Sequence, residues 1–119
     1  MIFAEDRSSV TQFELAQMFR KTTDESRDYS KAATWFQHSA KKGYHKAQYI
    51  LGLMYARGLG VSRDYIQAYA WLKIAASQGS KKAGCCLKKY SRKIPDSQIE
   101  EAHALSRDYY EKYVVPFAS

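Results

Sequence analysis

"KAQYILGLMYARGLGVSRDYIQAYAWLKIAASQG", residues 46–79, is the stretch that decides the fold, and its glycines pose the question. Gly58-Leu59-Gly60, followed by Ser62 and Arg63, offers either a cradle for a phosphate or a joint between two helices. A phosphate loop follows a strand, opens a helix and carries a Lys-Ser/Thr pair or a third glycine in register. Here the residues ahead of the loop, Ala47, Ile50, Leu51 and Met54, keep helical spacing, and Gly58 stands where a helix would close. Behind it Asp64 is a good N-cap, Ala68, Trp71, Leu72, Ala75 and Ala76 make an apolar stripe, and Gly79 ends the second helix. The glycines therefore read as a joint. Small residues at Ala47, Gly52, Ala68 and Ala75 allow close helix approach, with Tyr55 and Trp71 filling the gaps.

The pair recurs. Displaced by 36 residues, "RDYSKAATWFQHSAKKG" (27–43) falls on "RDYIQAYAWLKIAASQG" (63–79), and "TQFELAQMF" (11–19) falls on "AQYILGLMY" (47–55). The same shift lays Lys46, Ala47 and Leu51 on Lys82, Ala83 and Leu87. One pair alone leaves an apolar face exposed, so the pairs must stack. The expectation is an all-α solenoid of antiparallel helix pairs, one domain over 1–119, with units at about 8–43, 44–79 and 80–115 and six helices. The third unit is degenerate. "KKAGCCLKKY" is polar at many positions, and "IPDSQIEEAHALSRDYYEKYV" predicts a longer capping helix. Pro95 stands at or just ahead of its first turn, Ser97 and Glu100 form a candidate capping box, and Pro116 ends it. Ile99, Ala102, Leu105 or Ser106, Tyr109 and Tyr113 make its apolar face.

The composition, 45% apolar with only two prolines, is that of a globular chain of one domain. A formal charge of +7 favours acidic partners. Cys85 and Cys86 are adjacent, which rules out a disulfide framework and fits a reducing compartment. On a helix one points inward and the other outward, and packing explains them better than redox sensing. Glu5 and Asp6 interrupt any apolar leader, and no apolar run reaches the length of a membrane span, so the expected location is the cytoplasm.

The pattern carried by Ala47, Leu51, Gly52, Met54, Tyr55, Gly58, Gly60, Val61, Asp64, Ala68, Trp71, Ala75, Ala76 and Gly79 resembles the Sel-one-like repeat, a cousin of the tetratricopeptide repeat. The preceding unit resembles it in "DYSKAATWFQHSAKKG" but carries Thr22 and Asp24 in place of the loop glycines. The resemblance covers most of 11–113. It implies a right-handed α-solenoid that arranges protein or peptide partners in bacterial signalling, secretion, motility or virulence systems, without catalysis or a cofactor. A cysteine-rich secreted branch linked to β-lactam binding depends on paired cysteines that this chain lacks.

The residues themselves supply no reaction. His38, His45 and His103 form no metal-ligating pair, and His38, aligned with Ile74, is expected to be half-buried packing. Asp28 and Asp64 cap helices. The tetratricopeptide arrangement implies that the first helix of each pair lines a concave groove. That places Lys46, Tyr49, Leu53 and Arg57 there, preceded by Val10, Phe13, Gln17 and Lys21 with Arg20 alongside, and followed by Lys82, Cys85 and Lys89. Such a groove suits an acidic segment with an apolar anchor. Two competing readings give the same face to the C-terminal helix or to self-association, and dimerisation through the end caps is a further expectation. The basic stretch "KKAGCCLKKYSRK" (81–93) supports a different function, binding of nucleic acid or another anionic surface, although Tyr90 is its only base-stacking aromatic.

Overall fold

The computed structural model describes residues 29–117, and every regular element within them is helical. Helices α1 (Tyr29–Lys41), α2 (His45–Arg57), α3 (Tyr65–Ser77) and α4 (Lys81–Ser91) follow one another through short turns. A 3-10 turn at Asp96–Gln98 then leads into α5 (Ile99–Tyr113), and a second one closes the described chain at Val115–Phe117. Each of α1 to α4 packs on its chain neighbour, and α5 lies mainly along α3 with one edge on α1. This is the solenoid stacking expected from the repeat. The expected helix over 11–19 and the Asp28 cap lie outside the described residues.

The ends of the helices repeat as the sequence does. Tyr44 N–H reaches the Ser39 carbonyl at 3.4 Å, and Ser80 N–H reaches the Ala75 carbonyl at 3.2 Å, each just after a glycine. These are matching bonds 36 residues apart, and they fold α1 onto α2 and α3 onto α4 in the same way. Helix α2 ends differently, with the N–H groups of both Gly58 and Leu59 bonded to the Met54 carbonyl. Asp64 then starts α3, its carboxylate accepting from the Ile66 and Gln67 N–H groups at 3.0 and 3.1 Å.

Gly60 has a second task besides turning. It sits at φ 75° against the start of α1, and a Cβ there would fall onto the Tyr29 carbonyl. The residue is required by backbone contact between successive units, which is why no phosphate chemistry is needed to explain it. Gly52 serves the α2–α3 contact, where a Cβ would lie 2.7 Å from Leu72 Cγ.

Helix α3 is the centre of the molecule. From Ala68 to Ala75 every residue except Lys73 is buried, because α2, α4 and α5 all pack on it. The sequence predicted a single apolar stripe. Three neighbours convert that stripe into burial all round, and Tyr69, Ala70 and Ile74 join the core as a result. Trp71 is 2% exposed, its ring centroid 4.6 Å from Tyr109 and 5.4 Å from Tyr113 on α5. Cys85 is exposed and Cys86 half-buried, one outward and one inward.

A polar knot ties the ends of four helices. Gln48 is fully buried, its Nε2 donating to the Ala40 carbonyl at 3.0 Å and the Tyr113 carbonyl at 3.4 Å. Its Oε1 accepts from Gln78 Nε2 at 2.6 Å. The carbonyls at the ends of α1 and α5 are thereby linked through α2 to the residue that follows α3.

Two local expectations need correction. The Ser97–Glu100 capping box does not form, because Ser97 is taken up in the 3-10 turn headed by Pro95 and Gln98 occupies the cap of α5 without a side-chain bond. Helix α5 itself ends at Tyr113 with Val114 as its C-cap, and Pro116 stands two residues beyond, in a 3-10 turn. His38 is exposed beside Trp35, whereas its counterpart Ile74 is buried next to Ser106 and Tyr110 of α5. Among the described residues nothing covers α1 there as α5 covers α3.

Candidate functional site

The residues at 46, 49, 50, 53 and 57 recur every three or four positions, so α2 presents them along one side. Helix α4 runs parallel to α2, since α3 between them reverses the chain twice. The N-terminal ends of both helices meet at one hollow of about 430 Å³, lined by His45, Lys46, Tyr49, Ile50, Ser80, Lys81 and Lys82. A second hollow of about 280 Å³ adjoins it along α2, lined by Tyr49, Ile50, Leu53, Met54, Arg57, Leu59 and Lys82. Tyr49, Ile50 and Lys82 belong to both, so the two form one groove.

Lys46, Tyr49, Leu53, Arg57 and Lys82 therefore lie together. Lys89 does not join them. It is on the same side of α4 as Lys82, two turns further on, and its ammonium lies 5.3 Å from the Tyr90 ring centroid, outside both hollows. Phe13, Gln17 and Arg20, with Val10 and Lys21, lie outside the described residues. No residue of α5 lines the groove, because that helix is held on α3 by the Trp71–Tyr109–Tyr113 stack and by Tyr109 O–H donating to Gln67 Oε1 at 2.8 Å.

Sequence reading missed six lining residues for different reasons. His45, Ile50 and Met54 lie on or beside the α2 face and were legible from helical spacing. Leu59 returns to the groove only because the turn after Met54 folds it back. Ser80 and Lys81 come from the next helix, so their place depends on how α2 and α4 stack.

The electrostatics of the groove are one-sided. Among the described residues no aspartate or glutamate lines either hollow, while Lys46, Arg57, Lys81 and Lys82 do, all four exposed. In 81–93 six cations stand without an acid, and none of them is in an ion pair. The His45 imidazole is held below its usual range, first by burial and then by the adjacent Lys46 ammonium, which keeps it neutral at pH 7. Burial pushes the Tyr55 hydroxyl above its usual range, although the Gln37 amide within 3.2 Å partly offsets this. The floor is apolar and aromatic and the rim cationic, the make-up of a surface suited to binding.

Among the described residues no group of three or more His, Cys, Asp or Glu is arranged to hold a metal. No described helix is long and apolar enough to cross a membrane.

Comparison with known proteins gives a consistent family assignment. No functionally curated protein matches the sequence. Among solved structures, c5321, a protective antigen present in uropathogenic Escherichia coli strains and displaying an SLR fold, superposes with a TM-score of 0.86 at 31% identity over 96% of this chain. A Sel1 repeat protein from Oxalobacter formigenes gives 0.66 at 38% identity over 72%. The chain spans about a quarter of the length of each, the match covering 25% of either neighbour. Sel1 repeat proteins are generally protein-interaction scaffolds. The Sel1 repeat model matches residues 9–44 and 45–80, more than half of the sequence, and the chain belongs to the Sel1 repeat family.

Proposed function

We propose that the chain is a non-enzymatic adaptor that holds a short acidic segment of a partner protein in the α2–α4 groove. The observation that carries this reading is the apolar floor of Tyr49, Ile50, Leu53 and Leu59 beneath a rim of four cations, with no acid among the described residues that line it. Charge complementarity selects an acidic partner and accelerates its encounter, while the floor supplies the apolar burial that holds it. Helix α2 is about 20 Å long, enough for roughly six residues of extended chain. Phe13, Gln17 and Arg20 would extend the groove at one end, and Lys89 would contribute only long-range charge at the other. The 80–115 segment serves as the terminal cap, and its exposed outer side is where end-to-end pairing of copies would occur. A bacterial signalling, secretion or virulence assembly in the cytoplasm suits such a module.

The test is a binding assay with fluorescent hexapeptides that combine one acidic and one apolar residue, against basic and neutral controls. The Lys46→Ala/Tyr49→Ala/Arg57→Ala variant, checked for unchanged helicity and melting, is expected to lose at least about tenfold in affinity, as removal of one charge-assisted contact alone implies. Full retention of binding by the folded triple variant overturns the groove assignment.

One observation favours a second reading. The six cations of 81–93, none of them in an ion pair, are all exposed and offer a patch for nucleic acid or another anionic surface. Such binding falls steeply with salt, so absence of a gel shift at low salt eliminates it.

A further inference from the structure

The two hollows of the groove differ chemically, and this difference gives the bound segment a direction. We infer that the hollow where the N-terminal ends of α2 and α4 meet is an oxyanion site, taking the carboxylate or phosphate-monoester group of the bound segment. The inference deepens, and rests on, the groove reading above.

Three independent features converge there. The first is charge, since the ammonium groups of Lys46, Lys81 and Lys82 surround about 430 Å³ of space, no acid is among the described residues that line it, and none of the three is in an ion pair. The second is the backbone. Two parallel helices direct the positive ends of their dipoles and their first free N–H groups to the same hollow. In α2 the cap residue Tyr44 offers no side-chain acceptor, and the first bonded N–H groups, those of Ala47 and Gln48, both go to the Tyr44 carbonyl. The N–H groups of His45 and Lys46 ahead of them are left for a ligand. In α4 the Ser80 hydroxyl accepts only from Ala83 N–H, at 3.1 Å, and the N–H groups of Lys81 and Lys82 are similarly left. The third is His45, which lines the hollow with its Nδ1 buried and without a hydrogen-bond partner. An anion beside it supplies the charge that burial and Lys46 now deny to the imidazolium form.

The adjoining hollow, with Leu53, Met54 and Leu59, takes an apolar side chain. From Lys46 to Leu53 the rise along α2 is about 10 Å, or roughly three residues of extended chain. The segment is therefore one in which an acidic or phosphorylated group precedes or follows an apolar residue by about three positions. The acidic end lies at the N-terminal ends of the helices.

The experiment follows backbone amide and imidazole resonances of the isotopically labelled full chain at fixed ionic strength, titrated with inorganic phosphate, acetate and chloride. Saturable shifts are expected at His45, Lys46, Lys81 and Lys82, with a rise in the His45 titration midpoint. The Lys46→Gln/Lys82→Gln variant is expected to weaken binding at least about tenfold, as loss of charge-assisted contacts implies. Lys93→Gln, on the same cationic stretch but outside the hollow, leaves it unchanged. Saturation by phosphate alone identifies a phosphorylated ligand; equal saturation by acetate identifies a carboxylate. Shifts that do not saturate, or that spread evenly over Lys88, Lys89, Arg92 and Lys93, overturn the site. The two readings fail separately. If no oxyanion binds but Leu53→Ala still abolishes peptide binding, the groove stands and the oxyanion site falls. If phosphate binds while peptides ignore the groove variants, the site stands and the groove reading falls.

Discussion

Replacing Gln48 by methionine keeps the volume of the side chain and removes the hydrogen bonds that join the ends of four helices. The structure sets the size of the effect. Three bonds are lost, at 3.0 Å to the Ala40 carbonyl, 3.4 Å to the Tyr113 carbonyl and 2.6 Å from Gln78 Nε2. The remaining partners are not equally stranded. The Ala40 carbonyl keeps the Gly43 N–H at 3.1 Å, and Gln78 keeps a long contact to the Ile74 carbonyl at 3.4 Å. The Tyr113 carbonyl, one of the orphan acceptors at a helix end, loses its recorded donor. Each neutral bond contributes a net of about 0.5–1.5 kcal/mol, and the 3.4 Å one belongs at the weak end. The expected destabilisation is about 2–3 kcal/mol, or roughly 10 °C in melting temperature for a chain of this size. Urea unfolding followed by circular dichroism at 222 nm measures it, with the midpoint falling and the m-value unchanged. A double-mutant cycle with Gln78→Ala should show coupling of at least about 0.5 kcal/mol, since the two amides bond directly. A Gln48→Met variant within about 0.5 kcal/mol of the parent, a shift typical of surface substitutions, would refute the polar knot.

Other outcomes follow from the same structure. Gly60→Ala forces a Cβ onto the Tyr29 carbonyl at positive φ and should destabilise by more than about 2 kcal/mol, while Gly84→Ala, in open space within α4, should stabilise by up to about 1 kcal/mol. Equal effects of these two in urea melts would contradict the inter-unit contact. Trp71→Ala removes a side chain stacked on both Tyr109 and Tyr113 and should cost about 3–5 kcal/mol. A loss near zero would mean that α5 is not anchored on α3. Stability should also narrow at both pH extremes. His45 titrates below 6.5 when folded, so the unfolded chain binds the proton first and stability falls as pH drops through 6.5. Tyr55, Tyr69 and Tyr109 titrate above 10.0 when folded, so stability falls as pH rises past 10.0. His45→Asn should remove the acid-side slope in melting curves taken across pH 5–8.

Much of this molecule was legible in residues 46–79. Helix identity followed from spacing, and Asp64, Gly58 and Gly79 marked ends that the structure places at helix termini, because capping is chemistry between residues a few positions apart. The 36-residue recurrence carried the solenoid, since a pair that cannot bury its own face must stack on the next. The same local reasoning failed at Ser97, where a 3-10 turn moved the cap by one residue, and at His38, whose burial depended on a covering helix.

What sequence could not decide lies between helices. Gln48 aligns with Gln12, and that recurrence was the only sign that a polar side chain would be buried, since its partners sit at 40, 78 and 113. The groove residues of α2 could be listed from helical periodicity, but the convergence of Lys46 with Lys81 and Lys82 needed α2 and α4 to stand parallel. That α5 packs along α3 and leaves the groove open was settled by the Trp71–Tyr109–Tyr113 stack. The sequence by itself determined the helices and their repetition, because propensity, capping and periodicity act over a few residues. The tertiary structure alone decided which charges meet and which face α5 leaves uncovered, because those depend on contacts between residues dozens of positions apart.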